Sequence, residues 1–172
     1  MIKMKELIKL HKIGHELQDV KVLFRTDIKI EICGIKVHGK YGEMLNIPRW
    51  IANILEANGY VKIQDDKIVE DLKQSLVKEN SQDEFNLSTL DDHFYIKINS
   101  YFKRIQKQER DELESLLKSL FRKRHGKIIQ FADSSKLTNE LTHKLTIEEI
   151  EFYNQIHKAS TIFTKQIFGD LK

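Results

Sequence analysis

The amino-acid sequence predicts an α+β protein in which a small β-rich N-terminal domain precedes a larger all-α helical-bundle domain. The first observation is the apolar period, which changes from two before about residue 64 to 3.6 from about residue 86 onward. The second is charge, because residues 65–95 are strongly acidic while the segments on either side are basic. We therefore expect a β-rich domain at 1–64, an acidic linker with partial helix at 65–84 and a bundle at 85–172.

Composition excludes several classes of protein. The chain has 172 residues, of which 40% are apolar and 32% charged, a balance typical of soluble globular proteins. It has neither an apolar run long enough for a transmembrane helix nor the pattern of a signal peptide. The single cysteine, Cys33, excludes an internal disulfide and fits a reducing compartment, so we expect a cytoplasmic protein. Because Cys33 follows an apolar strand-like run, we expect a packed thiol rather than a nucleophile.

Three short segments near the N-terminus have the alternation of strands. Residues 20–24 and 28–32 alternate at period two with a turn at Thr26-Asp27 between them, and residues 35–38 are a candidate third strand. Residues 2–17 are expected to form either a short amphipathic helix or an irregular arm, since Gly14 weakens the helical prediction.

The only proline and the only tryptophan lie close together and mark a helix between two strands. Pro48 suits a first helical turn, with Asn46 as the expected N-cap, and Asn58-Gly59 has the pattern of a C-cap. The predicted apolar face of this helix comprises Trp50, Ile51, Ile54 and Leu55. We expect Trp50 to fill the core of the small domain, with an interface anchor as the alternative.

The second half of the chain predicts a bundle of helices. A first long helix is expected at 87–107, where Ser88 and Asp91 form a variant capping box, and a second contains Leu113 to Phe121. The last helix, at 146–168, begins with a capping box formed by Thr146 and Glu149. Two apolar rows are wide enough to face both a core and a neighbour: Phe94, Ile98 and Phe102 in the first helix, and Phe152, Ile156 and Phe163 in the last.

A basic run at residues 122–127 has three interpretations. It is a candidate for phosphate contacts with DNA, or a solvated helix end that complements the helix dipole. The interpretation we favour is that Arg124 or Lys127 pairs with acidic residues at a helix–helix or subunit contact, because the sequence pI near 8.8 is low for a dedicated DNA-binding domain.

No group of residues predicts catalysis, a cofactor or a bound metal. His11 and His15 have the spacing of zinc ligands, but no third ligand lies near them in sequence, and a surface pair is expected. Asp91-Asp92 and Glu148-Glu149 are better explained as acidic residues at helix N-termini than as metal or catalytic carboxylates. Nucleotide-binding loops and nucleophile elbows are absent from the sequence.

Two segments carry a family resemblance. Residues 43–52 read Glu-Met-Leu-Asn-Ile-Pro-Arg-Trp-Ile-Ala and resemble the small β-rich domain of GINS subunits, with Pro48, Arg49 and Trp50 at the centre of the motif. Residues 124–132 read Arg-His-Gly-Lys-Ile-Ile-Gln-Phe-Ala, and with 145–149, Leu-Thr-Ile-Glu-Glu, they resemble the end of the GINS helical domain. The order of the two motifs is similar to that of the archaeal subunit related to the second and third eukaryotic partners of Sld five.

The resemblance implies a non-enzymatic protein. It implies a heterotetramer with a sister subunit of opposite domain order, and an assembly that joins the MCM helicase to a RecJ-like protein in DNA replication, with weak direct DNA contact or none. The alternative from another class is a winged-helix-type DNA-binding regulator, although the helix after Pro48 offers only Arg49 to phosphates.

Overall fold

The computed structural model describes residues 4–65, 67–134 and 136–169, and it divides the chain into two compact units, 1–66 and 67–172. The first unit contains α1 (Met4–Leu17), β1 (Asp19–Phe24), β2 (Ile28–Ile32), β3 (Ile35–Gly39), β4 (Met44–Pro48), α2 (Arg49–Ala57) and β5 (Val61–Ile63). The second contains α3 (Lys67–Asn80), α4 (Phe94–Phe102), α5 (Lys107–Ser134), α6 (Asn139–Thr142) and α7 (Ile147–Phe168). A small β-rich part followed by a larger helical part confirms the predicted fold class. All strands of the described residues lie between 19 and 63.

The first unit is built on a three-stranded antiparallel sheet in the order β4-β1-β5. Residues of β1 alternate between buried and solvent-facing, as the period of two predicts. The buried side chains of the three strands meet those of α2, and the core of the unit comprises Val20, Val22, Phe24, Val37, Ile47, Ile51, Ala52, Leu55, Val61 and Ile63.

A separate two-stranded hairpin, β2-β3, completes the unit and corrects the prediction for Cys33. Ile32 pairs with Ile35, so Cys33 and Gly34 form a two-residue turn, with φ of 51° and 81°. Positive φ at both central residues is the pattern of a type I′ turn, whose twist matches that of the flanking strands. Cys33 is therefore exposed at the tip of the hairpin, and the expectation of a packed thiol is wrong.

Helix α2 forms where predicted, but its N-cap residue and its buried face differ from those predicted. Pro48 itself is the N-cap, with an extended backbone, while Asn46 lies within β4 and caps nothing. The buried face contains Ile51 and Leu55, whereas Ile54 is 48% exposed. Trp50 is only partly buried and packs against the edge of the core rather than filling it.

Helix α1 covers most of the segment predicted as a helix or an arm; residues 2 and 3 of that segment lie outside the described residues. It packs on α2, and Glu16 accepts a hydrogen bond from Asn53 at 2.8 Å. His15 is buried and His11 partly buried, so the expected surface pair of histidines is not present.

The second unit begins earlier than the sequence predicts. Residues 67–80, assigned to an acidic linker with partial helix, form α3, which packs against α5 through Leu72. Glu79, which lies in the segment predicted as an acidic linker, is one of the most deeply buried side chains. The expected helix at 87–107 is also shorter, because residues 86–91 form neither helix nor strand and α4 begins only at Phe94. Ser88 is therefore not a cap, and the predicted box of Ser88 and Asp91 is absent.

Helices α5 and α7 run parallel to each other. Three contacts show this: Arg124 with Glu149, Ala132 with His157, and Asp133 with Ser160. Residue numbers therefore increase in the same direction along the two helices. Two apolar clusters fill this unit, one between α3, α4 and the first half of α5, the other between the second half of α5 and α7. A short linking region carries Leu145, which is fully buried in the second cluster.

Candidate functional site

The centre of the helical unit is a fully buried guanidinium, that of Arg124 on α5. Its Nε donates to Glu149 Oε1 at 2.7 Å and its Nη2 donates to Glu149 Oε2 at 2.8 Å. Nη1 donates to Glu79 Oε2 at 3.0 Å and to the carbonyl of Ser88 at 2.7 Å, while Nη2 also donates to the carbonyl of Lys144 at 2.9 Å. A guanidinium has five N–H groups, so these bonds use every one of them.

Glu79, near the end of α3, is the second member of this network. Lys127 Nζ donates to its Oε1 at 2.7 Å, and both the amide and the hydroxyl of Ser88 donate to its Oε2, at 3.0 and 2.7 Å. Burial alone would raise the pKa of Glu79, but the hydrogen bonds from Lys127 and Ser88 and the charge of Arg124 outweigh it. The pKa of Glu79 therefore lies below its ordinary value, and the group is a carboxylate at neutral pH.

Glu149 connects Arg124 to the first turn of α7. Thr146 is the N-cap of α7, its hydroxyl accepts from the amide of Glu149, and Glu149 accepts from the amide of Thr146, which confirms the predicted capping box. Tyr95 of α4 also donates to Glu149, at 2.9 Å. Burial and the nearby Glu149 carboxylate raise the pKa of Tyr95, so its hydroxyl remains a donor. One carboxylate thus fixes the start of α7 to α5 and α4.

Chemically this network holds α3, α5 and α7 together through charged hydrogen bonds. Burial by itself would lower the pKa of Arg124, but the hydrogen bonds and charge of Glu149 outweigh it and keep the guanidinium charged. Each charged group faces an opposite charge, and Glu79 and Arg124 are closed to solvent. Of the uses predicted for the basic run, the structure places Arg124 and Lys127 in helix–helix pairing within one chain, while Arg122 and Lys123 stay exposed.

The last third of α7 is the most exposed apolar element of the helical unit. Because α5 ends at Ser134 beside Ser160 of α7, residues 161–168 continue past the end of their neighbour. All of these residues are exposed. Four large apolar side chains are among them, with exposed fractions from 48 to 69%: Ile162, Phe163, Ile167 and Phe168. Monomeric proteins rarely leave several large apolar groups together in water without an interaction to make.

The two apolar rows predicted from sequence have different fates. Phe94, Ile98 and Phe102 on α4 are buried in the core, so they leave no surface for a partner. On α7, Phe152 and Ile156 are half-buried and Phe163 is exposed. Glu148, beside the cap, is half-buried.

An aromatic ladder lies at the base of α7. The His125 ring is stacked on Phe152, with centroids 4.9 Å apart, and it also approaches the Phe121 ring at 5.2 Å. Phe121 is 50% exposed, so the ladder reaches the surface on the α5 side.

In the first unit, Arg49 is buried and pairs with Asp65 at 2.9 Å. The sequence offered Arg49 as a phosphate contact for a winged-helix regulator, and this pairing removes the only cation of α2 from any such surface. Sequence reasoning did not find Asp65 or Tyr95, and it assigned Ser88 to a cap rather than to Glu79, because each acts through a partner outside its own turn of the chain.

The described residues contain neither a cluster of metal-ligand side chains nor a membrane-spanning helix. Among them no three His, Cys, Asp or Glu side chains lie close enough together to hold a metal ion. No helix among residues 4–65, 67–134 and 136–169 has the length and apolar character that crossing a bilayer requires.

Comparison with known proteins identifies the helical unit. No curated protein matches the chain closely enough to be considered a relative. The family model described as Sld5, GINS complex protein helical bundle domain, matches residues 63–168, which is more than half of the chain and contains all five helices of the second unit. A GINS complex subunit acts in DNA replication as part of a multi-subunit assembly. The chain therefore belongs to the family of GINS complex helical-bundle proteins.

Proposed function

We propose that this chain is a non-enzymatic structural subunit of the GINS complex, assembling with a sister subunit of opposite domain order into a heterotetramer. In this role it scaffolds the MCM helicase and a RecJ-like protein during chromosomal DNA replication in the cytoplasm of an archaeal cell. The family match supports the general role. The observation that carries the proposal is the apolar end of α7, where Ile162, Phe163, Ile167 and Phe168 face solvent.

The contact that we propose for the sister subunit is centred on this end of α7. Obligate interfaces bury roughly 2,000 Å² or more and resemble a core cut in half. The four exposed side chains supply the apolar centre of such an interface, and the surrounding helical surfaces supply its rim. The α4 row plays no part, because its side chains already fill the monomer core.

Direct DNA contact by the basic run is weak or absent in this proposal. Arg124 and Lys127 are engaged with Glu79 and Glu149, and only Arg122 and Lys123 of the run remain for phosphates. Non-specific DNA affinity grows with the number of phosphates neutralised, so two cations contribute little affinity.

The test is to mix the full chain with the opposite-order sister subunit and measure mass in solution, and to co-purify the chain from its source cell. A heterotetramer is expected at micromolar concentration. Phe163→Glu combined with Ile167→Glu should abolish it by burying charge in the contact. The matched control is Ser115→Glu with Ser119→Glu, which adds the same charge to an exposed face of α5 and should leave assembly intact.

A chain that stays monomeric and ignores the sister subunit would contradict the scaffold. Equal loss of assembly in both double variants would instead mean that added charge alone disrupts the complex, and would remove α7 as the contact.

A further inference from the structure

The sheet of the first unit has an outer face that no described element of that unit covers. Along β1, the buried Val20, Val22 and Phe24 alternate with Lys21 and Leu23, which point to the opposite side. Helix α2 packs on the inner side, where the core lies. On the outer side Lys21 is exposed and Leu23 is partly exposed.

The register of the strands determines which residues meet on this face. Leu23 pairs with Met44 on β4 and with Lys62 on β5, so an apolar pair lies at the centre with a cation beside it. Met44 is 51% exposed and Leu23 partly so. At the next outward position, the amide of Arg25 donates to the carbonyl of Tyr60 at 2.8 Å, so these two residues are neighbours as well.

Three exposed cations surround the apolar centre: Lys21, Arg25 and Lys62. Lys62 is the diagonal neighbour of both Lys21 and Arg25, and diagonal positions on adjacent strands are about 7–8 Å apart. None of the three pairs with a carboxylate of the residues that the structure describes, and the acidic residue of β1, Asp19, lies at the far end of the strand. The face is therefore positive around an apolar middle.

We propose that this outer sheet face, Lys21, Leu23, Arg25, Met44, Tyr60 and Lys62, docks an acidic segment of a partner protein that carries an apolar side chain. The cations complement the carboxylates of the segment and set its orientation, and the Leu23–Met44 pair buries the apolar side chain. Tyr, Met and Arg are enriched at protein interfaces, and all three residue types border this centre. The proposal concerns the first unit and does not depend on assembly through α7.

A nucleic acid fits this face less well than a protein segment. Single-stranded nucleic acids bind on a succession of aromatic rings beside a basic groove. Here the middle of the face is aliphatic, and Tyr60 at its edge is the single aromatic residue of the six. Three cations neutralise few phosphates, whereas a short acidic segment needs only a few opposite charges and one apolar pocket.

The experiment uses the full chain and labelled peptides, with affinity followed by fluorescence anisotropy. The probe is a peptide of repeating Asp-Glu-Leu; one companion is Asn-Gln-Leu, which lacks charge, and the other is Asp-Glu-Ser, which lacks the apolar group. We expect the first to bind, and each companion to bind about tenfold more weakly or worse. Oligo(dT) of equal net charge should not compete.

Two variants test the location of the site. Lys21→Glu with Lys62→Glu should weaken binding of the Asp-Glu-Leu peptide by about tenfold or more, since like charges oppose each other across an interface. Lys29→Glu with Lys36→Glu makes the same change of charge at exposed positions on the two-stranded sheet and should leave binding unchanged. Met44→Gln, on an edge strand and exposed, removes the apolar centre and should make Asp-Glu-Leu bind no better than Asp-Glu-Ser.

Several results would overturn the proposal. They are no binding of the Asp-Glu-Leu peptide, equal loss in the Lys29/Lys36 control, no effect of Met44→Gln, and tighter binding of oligo(dT) than of the peptide. The last would assign the face to nucleic acid. Should the Lys21/Lys62 variant fail to fold, Met44→Gln and the peptide series decide alone.

Discussion

Arg124 and Glu149 are joined by two parallel hydrogen bonds, of 2.7 and 2.8 Å, in a fork-to-fork arrangement that is closed to solvent on the arginine side. Such bidentate pairs combine charge with fixed geometry, so the position of the first turn of α7 against α5 is set at this point. The same guanidinium holds the end of α3 through Glu79.

Removing Arg124 should strongly destabilise the helical unit. Arg124→Ala leaves two buried carboxylates without their main partner, and breaking a buried ion pair in this way costs about 3–5 kcal/mol. Urea unfolding followed by circular dichroism measures this cost. Lys123→Ala changes the exposed neighbour and should shift the free energy of unfolding by about 0.5 kcal/mol or less. Similar values for the two variants would show that the buried network contributes little.

Acid should destabilise the helical unit through Glu79. Its pKa is lower in the folded chain than its ordinary value of 4.5, so its contribution to stability is complete above that value and is lost as pH falls through the folded pKa. The urea midpoint should be measured from neutral pH down to about pH 3. We expect it to decrease once the pH is below 4.5.

The matched variant for this pH series is Glu79→Gln, which should lower stability at neutral pH and flatten the acid limb. Glu140→Gln, an exposed carboxylate on α6, should leave the whole profile unchanged. An unaltered acid limb in Glu79→Gln would assign acid sensitivity to other carboxylates.

Two isoleucines of α2 offer a matched pair for the first unit. Ile51 is fully buried and Ile54 is 48% exposed, on the same helix. Ile51→Ala should cost about 2–5 kcal/mol, as large-to-small changes in cores do, and Ile54→Ala clearly less. The fluorescence of Trp50, the only tryptophan, reports unfolding of this unit. Equal costs would mean that the exposed position is covered in solution.

Replacing each of two glycines by alanine should change the stability of the chain in opposite directions. Gly126 lies inside α5 with open space where a Cβ would be, so Gly126→Ala should stabilise the chain by about 1 kcal/mol through helix propensity. At Gly39 a Cβ would collide with the ring of Phe24, and Gly39→Ala should destabilise by about 1–3 kcal/mol. Thermal unfolding of the two variants beside the parent checks both signs. A less stable Gly126→Ala chain would mean that this face is occupied.

Local patterns predicted much of the fold, since period-two and period-3.6 segments need only neighbouring residues. The capping box of Thr146 and Glu149 was predictable for the same reason, because both partners lie within one turn. The exposed position of Cys33 in a tight turn was not predictable, because cysteine is not a typical turn residue and it directly follows the apolar residues of β2.

The candidate sites depend on partners far apart in sequence. Glu79 reads as part of a polar linker until Arg124, 45 residues later, is placed beside it. Ser88 was predicted to be a helix cap because its spacing to Asp91 is that of a capping box. Its hydroxyl and amide instead donate hydrogen bonds to Glu79. Burial of the α4 row and exposure of the α7 end likewise follow from which helices pack together, and periodicity alone does not decide that.

The span of the Arg124 network bears on how the chain folds as it is synthesised. Glu79 leaves the ribosome first, Arg124 follows 45 residues later, and Glu149 another 25 residues after that. No earlier segment can close the polar centre of the helical unit, because the last carboxylate is missing until α7 begins to emerge. The exposed apolar end of α7 is made later still, so every member of the charged centre leaves the ribosome before it.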